Sequence, residues 1–208
     1  DLQQRLAREI RIANDANCFA LSEAIDGAGR GHGVVFGVIL GTGVGGGIVF
    51  HGKLHEGMQH IAGEWGHNVL EADGPPCYCG KRGCVETFLS GPGLLNDYRR
   101  HGGDPAHNTK VIVEQAANGN PAAESALQRY LDRFGRALSV VVNIIDPDAV
   151  VLGGGMSNVT RLYTEGRDRL AQYVFNDELR TGLLPHVHGD SSGVRGAAQL
   201  WVPDADDP

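Results

Sequence analysis

Cys77-Tyr78-Cys79-Gly80-Lys81-Arg82-Gly83-Cys84-Val85-Glu86 places three thiols within eight positions, and Gly63-Glu64-Trp65-Gly66-His67 sets a histidine ten residues ahead of the first of them. Three cysteines and one histidine make a closed, structural Zn²⁺ ligand set with no position left for an activated water. The Cys-x-Cys step is tighter than a typical zinc-finger knuckle, and Gly80 and Gly83 let the loop fold back around a small ion. His67, Cys77, Cys79 and Cys84 are therefore the expected metal ligands. The ion would hold a loop, so the chemistry belongs to what the loop carries: Glu64 and Glu86 flank the cluster, one beside each end. Buried thiols or a disulfide pair are the alternative. Cysteines two positions apart do not easily bridge each other, and the remaining cysteine, Cys18, lies in an apolar stretch where a thiol packs rather than reacts.

The chain has 208 residues, enough for one sizeable core or one large domain with a piece of another. Its formal net charge of −7 argues against a nucleic-acid surface. No apolar run approaches the ~18 residues that span a bilayer, so a membrane partner is not expected. Free thiols beside a zinc site suit a reducing compartment, hence the cytoplasm. The 31 glycines are clustered rather than periodic, which marks tight turns and close backbone approach to a ligand. Asp1 to Glu9 reads as a helix already in progress, with no methionine before it. The expectation is that an N-terminal part of a larger protein precedes it; a complete domain trimmed at its start is the alternative.

Along the chain, Ile10 to Ala13 alternates like a short strand, and a helix follows through Phe19–Ile25 to stop at Asp26-Gly27. Val34 to Leu40 is a buried strand. Gly41 to Gly47 interrupts it, Ile48-Val49-Phe50 continues as a second strand, and His51-Gly52-Lys53 forms a hairpin turn. Val85 to Tyr98 reads as a helix broken at Gly91-Pro92-Gly93, and Lys110 to Ala117 as a short one. The longest runs from Pro121 to Ile145 and is closed by Asp146-Pro147. Ala149 to Leu152 is a short buried strand opening onto Gly153-Gly154-Gly155. Val159 to Val174 is helical, a last strand lies near His186-Val187-His188, and a helix covers Gly193 to Trp201. The acidic tail from Pro203 should fray. Strands alternating with helices give the α/β class.

Two glycine-rich turns could receive phosphates. At Gly41-Thr42-Gly43, bare N–H groups and the Thr42 hydroxyl could cradle an anion; a bulge in a hairpin is the other reading. Gly153-Gly154-Gly155 follows a strand at the end where α/β sheets bind ligands. Together they favour a nucleotide. Asn14-Asp15 ends an extended stretch and starts a helix. A carboxylate there can accept a hydroxyl proton while the amide orients the same substrate, or the pair simply caps the helix. Glu64, His67 and Glu86 could hydrogen-bond the hydroxyls of a polyol.

Gly-Thr-Gly-Val-Gly-Gly-Gly, then Gly-Glu-Trp-Gly-His, then Cys-x-Cys-Gly-x-x-Gly-Cys-x-Glu, in that order, resembles the ROK family of sugar kinases and repressors. The resemblance covers nearly the whole chain, with Asn14 to Cys18 upstream and Asp146-Pro147-Asp148 and Leu152 to Gly155 downstream. Within the family, Gly63 to Asn68, Cys77 to Lys81 and His188 to Gly196 look closest to bacterial fructokinases that also accept mannose, with N-acetylglucosamine kinases the nearest relatives. The resemblance implies an actin-like, ribonuclease H-like ATPase fold with a sugar in an interdomain cleft. It assigns Asp15 as general base and Asn14, Glu64, His67 and Glu86 as sugar contacts, with one ring nitrogen of His67 on zinc and the other on a sugar hydroxyl. Gly41, Thr42 and Gly43 match a phosphate loop, and Gly154 and Gly155 the adenosine side. The family's first phosphate loop, Asp-x-Gly-Gly-Thr, is not found in these residues, so most of the small N-terminal domain is expected to lie outside them. Residues 1–13 would end that domain, 14–192 form the large domain with its zinc loop, and 193–208 return to the small one.

The expected activity is transfer of the γ-phosphoryl of ATP, with Mg²⁺, to the 6-hydroxyl of fructose, with mannose or glucose also accepted, by a homodimer. The alternatives are an N-acetylglucosamine kinase and a sugar-responsive repressor. A repressor would need a helix-turn-helix beyond these residues and would not need Asp15 as a base.

Overall fold

The computed structural model describes residues 2–201; the tail from Pro203 lies outside them. After a short helix α1 (Leu2–Leu6) come α2 (Asp15–Ile25), β1 (Val34–Leu40), β2 (Val44–Phe50) and β3 (Lys53–His55). The loop with the thiols follows. Beyond it lie α3 (Glu86–Leu89), α4 (Gly91–Arg100), α5 (Thr109–Ala117), α6 (Pro121–Ile145), β4 (Ala149–Gly153), α7 (Glu165–Tyr173), β5 (Gly182–Pro185) and α8 (Ser192–Gln199). The strands form one sheet in the order β3-β2-β1-β4-β5. β1, β2 and β3 pair antiparallel as hairpins, and β4 and β5 add on the other side in parallel. This mixed five-stranded sheet is the ribonuclease H-like frame of the actin-like ATPases. No helix among the described residues is long and apolar enough to cross a membrane.

Alternation along β1 divides the core in two. Phe36, Val38 and Leu40 join Tyr130, Phe134 and Leu138 of α6 on one face, while Val35 packs with Phe19, Ala20 and Ala24 of α2 on the other. The glycine run after Leu40 is not a loop: strand β2 begins at Val44 and contains Gly45, Gly46 and Gly47. The reason is the helix above it. A Cβ on Gly47 would come within 2.9 Å of the Ala16 carbonyl and the Ala20 Cβ, so the bare strand lets α2 lie close to the sheet. Only Gly41-Thr42-Gly43 remains as the turn, closed by a 2.9 Å bond from the Gly41 N–H to the Gly43 carbonyl.

Three further expectations need correction. Ile10 to Ala13 is not a strand; Ile12 is 81% exposed and the segment pairs with no strand among the described residues. The helix read over Val159 to Val174 is interrupted: α7 starts only at Glu165, after Thr164 leaves helical geometry. The last strand lies earlier than the His186-Val187-His188 alternation. The N–H groups of Val187 and His188 donate to the buried Glu23 carboxylate instead of a strand. Glu23 also accepts from the Ala28 N–H and the Ser192 hydroxyl. Burial alone would raise its pKa, yet these four donors hold it below the ordinary value and tie the C-terminal stretch to α2.

On the opposite flank, Arg161 donates to both oxygens of Glu124, binding the start of α6 to the turn before α7. That bonding lowers the Glu124 pKa from 4.5 to about 2. A depressed carboxylate contributes stability above its unfolded pKa and loses it as pH falls through the folded one. Thermal stability should therefore carry a Glu124 contribution that fades from about pH 5 to about pH 2. Melting curves of wild type and Glu124→Gln should converge across that window. Parallel curves would show that the pair contributes nothing, the usual fate of a solvent-screened bridge.

Candidate active site

The start of α2 separates two residues whose roles overlapped in the sequence. Asn14 is the N-cap, its Oδ1 accepting from the Asn17 N–H at 2.6 Å. Asp15 is the first helical residue and exposed, and among the described residues its carboxylate accepts only from the adjacent Ala16 N–H, at 3.0 Å. Capping is thus met by Asn14, and the Asp15 carboxylate is presented to solvent in the electropositive first turn of the helix. The Asn14 amide also donates to Glu64 Oε1 at 3.2 Å, which joins the helix start to the segment ahead of the thiols.

That segment is pinned by its neighbours. Trp65 is 4% exposed, edge-on to Phe36 with centroids 5.8 Å apart. Gly66 lies so near β2 that a Cβ would fall 2.1 Å from the Val44 carbonyl. Trp65 is therefore a core anchor beneath the loop. A short 3₁₀ turn over Trp65–His67 then delivers His67 to the cysteines.

The side-chain donor atoms of His67, Cys77, Cys79 and Cys84 lie within 4.8 Å of one another. His67 Nδ1 is 3.6 Å from Cys77 Sγ, and Cys79 Sγ is 3.6 Å from Cys84 Sγ. A tetrahedral Zn²⁺ site with ordinary bond lengths requires ligand separations of about 3.5–3.8 Å, so the donor set fits the ion. Backbone bonds from Cys77 to Lys81 and from Gly80 to Cys77 shape the loop, and a Lys81 ammonium on the His67 carbonyl closes it. At its base, Glu71 accepts a two-pronged bond from Arg133 of α6. Arg133 also donates to the buried Asp97, which Arg129 clamps from the other side. Burial would raise the Asp97 pKa, but the two guanidiniums hold it below the usual carboxylate range. This α4–α6–loop network gave no signal in the sequence, because its members are far apart and charged residues read locally as surface.

Glu86 opens α3 just after the last cysteine. Its Oε2 accepts from the Val44 N–H at 3.0 Å, directly behind the Gly41-Thr42-Gly43 turn. The cluster end of the loop and the phosphate-loop candidate are thereby in contact. Tyr78, 83% exposed, has its hydroxyl 2.9 Å from His67 Nε2. The negative charge of Glu86, foremost among its acidic neighbours, pushes its phenol pKa up from the ordinary value.

The two glycine turns meet because β1 and β4 are parallel neighbours, with Ile39 in register with Gly153. Gly41, Thr42 and Gly155 line a cavity of about 750 Å³ whose remaining wall is mainly apolar: Pro92, Leu95, Val113, Met156 and Val159. That is room and lining of the kind that suits a purine nucleoside. Gly43 and Gly154 stand behind it; a Cβ on Gly154 would meet the Leu40 carbonyl at 2.5 Å. The apolar wall was missed in the sequence, since its residues come from two helices and a turn. A second cavity, about 610 Å³, shares Thr42 and is lined by Tyr78 and Glu86 as well. Asp15, Asn14, Glu64 and His67 line neither.

Residues 1–203 match the model of the ROK family. The N-acetyl-D-glucosamine kinase of Yersinia pseudotuberculosis is 42% identical over 97% of this chain and 69% of its own length. Among solved structures, a ROK family glucokinase from Streptomyces griseus, in complex with glucose and AMPPNP, is 30% identical with a TM-score of 0.84. It is covered over 96% of this chain and 70% of that one. A ROK hexokinase from Thermus thermophilus is also 30% identical, with a TM-score of 0.86 over 95% of this chain and 66% of that one.

Proposed function

This chain belongs to the ROK family, and from that membership we propose that it is the large-domain part of an ATP-dependent kinase acting on the 6-hydroxyl of a hexose, N-acetylglucosamine first and fructose second. One observation carries the reading: Asp15 is exposed beside the Asn14–Glu64 bond and is free of the capping duty that its neighbour performs. Asp15 takes the proton of the attacking hydroxyl. Asn14 and Glu64 orient the same sugar, and Glu86 does so from the side of the phosphate turn. Thr42 and the N–H groups of its turn receive the phosphates of a nucleotide seated in the apolar cavity. Bound with ATP, Mg²⁺ neutralises charge on the transferring group. Positioning is the larger share of such catalysis, so the loop that fixes His67 and Glu86 contributes without touching the phosphoryl group.

N-acetylglucosamine takes first place because the Yersinia relative carries that activity in its name. The fructose reading rests on the resemblance of Gly63 to Asn68, Cys77 to Lys81 and His188 to Gly196 to bacterial fructokinases. A coupled ADP-release assay of the full-length protein across N-acetylglucosamine, fructose, mannose and glucose separates them. The expected kcat/KM ratio of N-acetylglucosamine to fructose is about tenfold or more, the scale at which a pocket rejects a misfitting group. A ratio in favour of fructose moves the protein to the second reading. No ADP with any of the four sugars removes the kinase.

A further inference from the structure

In the kinase reading Glu86 orients the sugar, yet its own element cannot fix it. Glu86 opens α3, a helix of four residues. A single turn of helix does not hold itself, so its orientation comes from what packs on it. Two side chains of α6 do so. The Tyr130 hydroxyl donates to the Leu89 carbonyl at 2.8 Å, and the Arg133 guanidinium lies over the buried Phe88 ring, 4.3 Å from its centroid. Arg133 does more than stack. Its Nε and Nη2 donate to the two Glu71 oxygens at 2.8 and 3.2 Å, and its Nη1 to Asp97 Oδ1 at 2.7 Å. Glu71 precedes the first cysteine of the loop and Phe88 follows the last, so one side chain joins both ends.

Those ends are already in backbone contact. The N–H groups of Leu70 and Glu71 donate to the Gly83 carbonyl at 2.8 and 3.2 Å, and a Cβ on Gly74 would fall 2.8 Å from Phe88 Cζ. The loop thus has two closures, the donor set of His67 and the thiols and, at its base, the largely buried Arg133. Arginine suits this place because it presents a fork to carboxylates and a face to an aromatic ring at once, where lysine offers a point charge. From α3 the constraint reaches the phosphate turn: Glu86 Oε2 accepts from the Val44 N–H at 3.0 Å, and a Cβ on Gly43 would come 2.6 Å from the same oxygen. We infer that Arg133 is a positioning residue for the kinase reaction: through Phe88 it aims Glu86 between the sugar and the phosphate turn, and it does so independently of the metal. This rests on the kinase reading above and adds to it a side chain that acts on the sugar without touching it. The competing role is structural alone, an ion-pair network that steadies the loop and leaves binding unaffected.

Arg133→Lys in the full-length protein separates these, since it keeps the charge and removes the fork and the stacked face. Each carboxylate retains another cation, Asp97 through two bonds from Arg129 and Glu71 through Arg136 at 3.4 Å, so the variant should fold. The expected result is a rise of about 5–20-fold in KM and in the calorimetric Kd of the preferred sugar, the scale of a weakened hydrogen bond to a charged group, with zinc content unchanged by elemental analysis. Glu86→Gln should weaken the sugar at least as much. Adding Arg133→Lys to it should then cost less than about twofold more, because the two residues act as one unit. Phe88→Leu leaves the ion pairs in place and breaks the same link from α3, so it should raise Kd in the same direction. Unchanged Kd in Arg133→Lys or in Phe88→Leu overturns the inference. Full additivity with Glu86→Gln does so too, since it marks a route that bypasses Glu86, as does a loss of zinc in step with affinity, which traces the effect to the ion. A Glu86→Gln protein with wild-type Kd and turnover removes Glu86 as a sugar contact, and this inference with it, but leaves the kinase standing. A wild type that neither binds nor phosphorylates any of the four sugars removes both.

Discussion

Asp15→Asn in the full-length protein should lower kcat by about 10²–10⁴-fold, the usual contribution of a positioned base, while sugar binding and folding survive. The structure makes this a clean substitution. The N-cap of α2 is Asn14, whose bond to the Asn17 N–H does not involve residue 15. Losing the Asp15 charge forfeits only its interaction with the helix N-terminus, about 0.3–1 kcal/mol, or a few degrees in melting temperature. Had Asp15 been the cap, the change would have been nearly silent, because asparagine caps as well as aspartate. The measurement is steady-state kinetics with a calorimetric Kd for the sugar and a melting curve on the same sample. A fall in kcat below tenfold rejects the role of base. A large fall accompanied by lost sugar affinity reassigns Asp15 to binding.

The contrast between Asn14 and Asp15 shows what a sequence can and cannot say about this fold. Where a local pattern was also the tertiary answer, it was legible. Val34 to Leu40 is apolar throughout because both sheet faces are covered, and α6 runs from its N-terminal Pro121 to the left-handed Asp146 as its stop signals imply. Where a long-range partner decided, it was not. Gly45 to Gly47 looked like a loop until α2 was seen to need a bare strand beneath it. The alternation at His186 to His188 looked like a strand, yet its N–H groups end on a carboxylate 164 residues away. The thiol cluster was fully legible, because chelation constrains residue type and spacing at once. The apolar cavity wall was not, because residues such as Leu95, Val113 and Met156 read as ordinary core.

Cys84→Ser should abolish stoichiometric zinc and lower both stability and activity, for reasons that differ along the loop. Cys84 is fully buried, and its thiol completes the donor set beside the exposed Cys79. Structural sites convert metal binding into folding energy, about 10–16 kcal/mol in small zinc-finger peptides. Here the return is smaller, because other bonds also shape the loop: the Glu71–Arg133 bridge at its base, the Lys81 strut, and the paired backbone at Val69 with Cys84 and Pro76 with Arg82. A loss of about 2–4 kcal/mol, roughly 5–15 °C in melting temperature for a domain of this size, is the expected scale. The core on α6 should remain, so the variant stays folded with a loosened loop. Activity should then fall about 10–100-fold, the usual cost of losing support around a ligating group, since His67 is released and Glu86 sits two residues beyond the missing ligand. Cys79→Ser, at the exposed corner, should lose zinc with a smaller drop in melting temperature. Metal-replete wild type with far less than one zinc per chain would overturn the assignment, as would a Cys84→Ser protein that keeps its zinc. Readdition of Zn²⁺ to chelator-treated wild type should restore both melting temperature and turnover, whereas Cys84→Ser should recover neither.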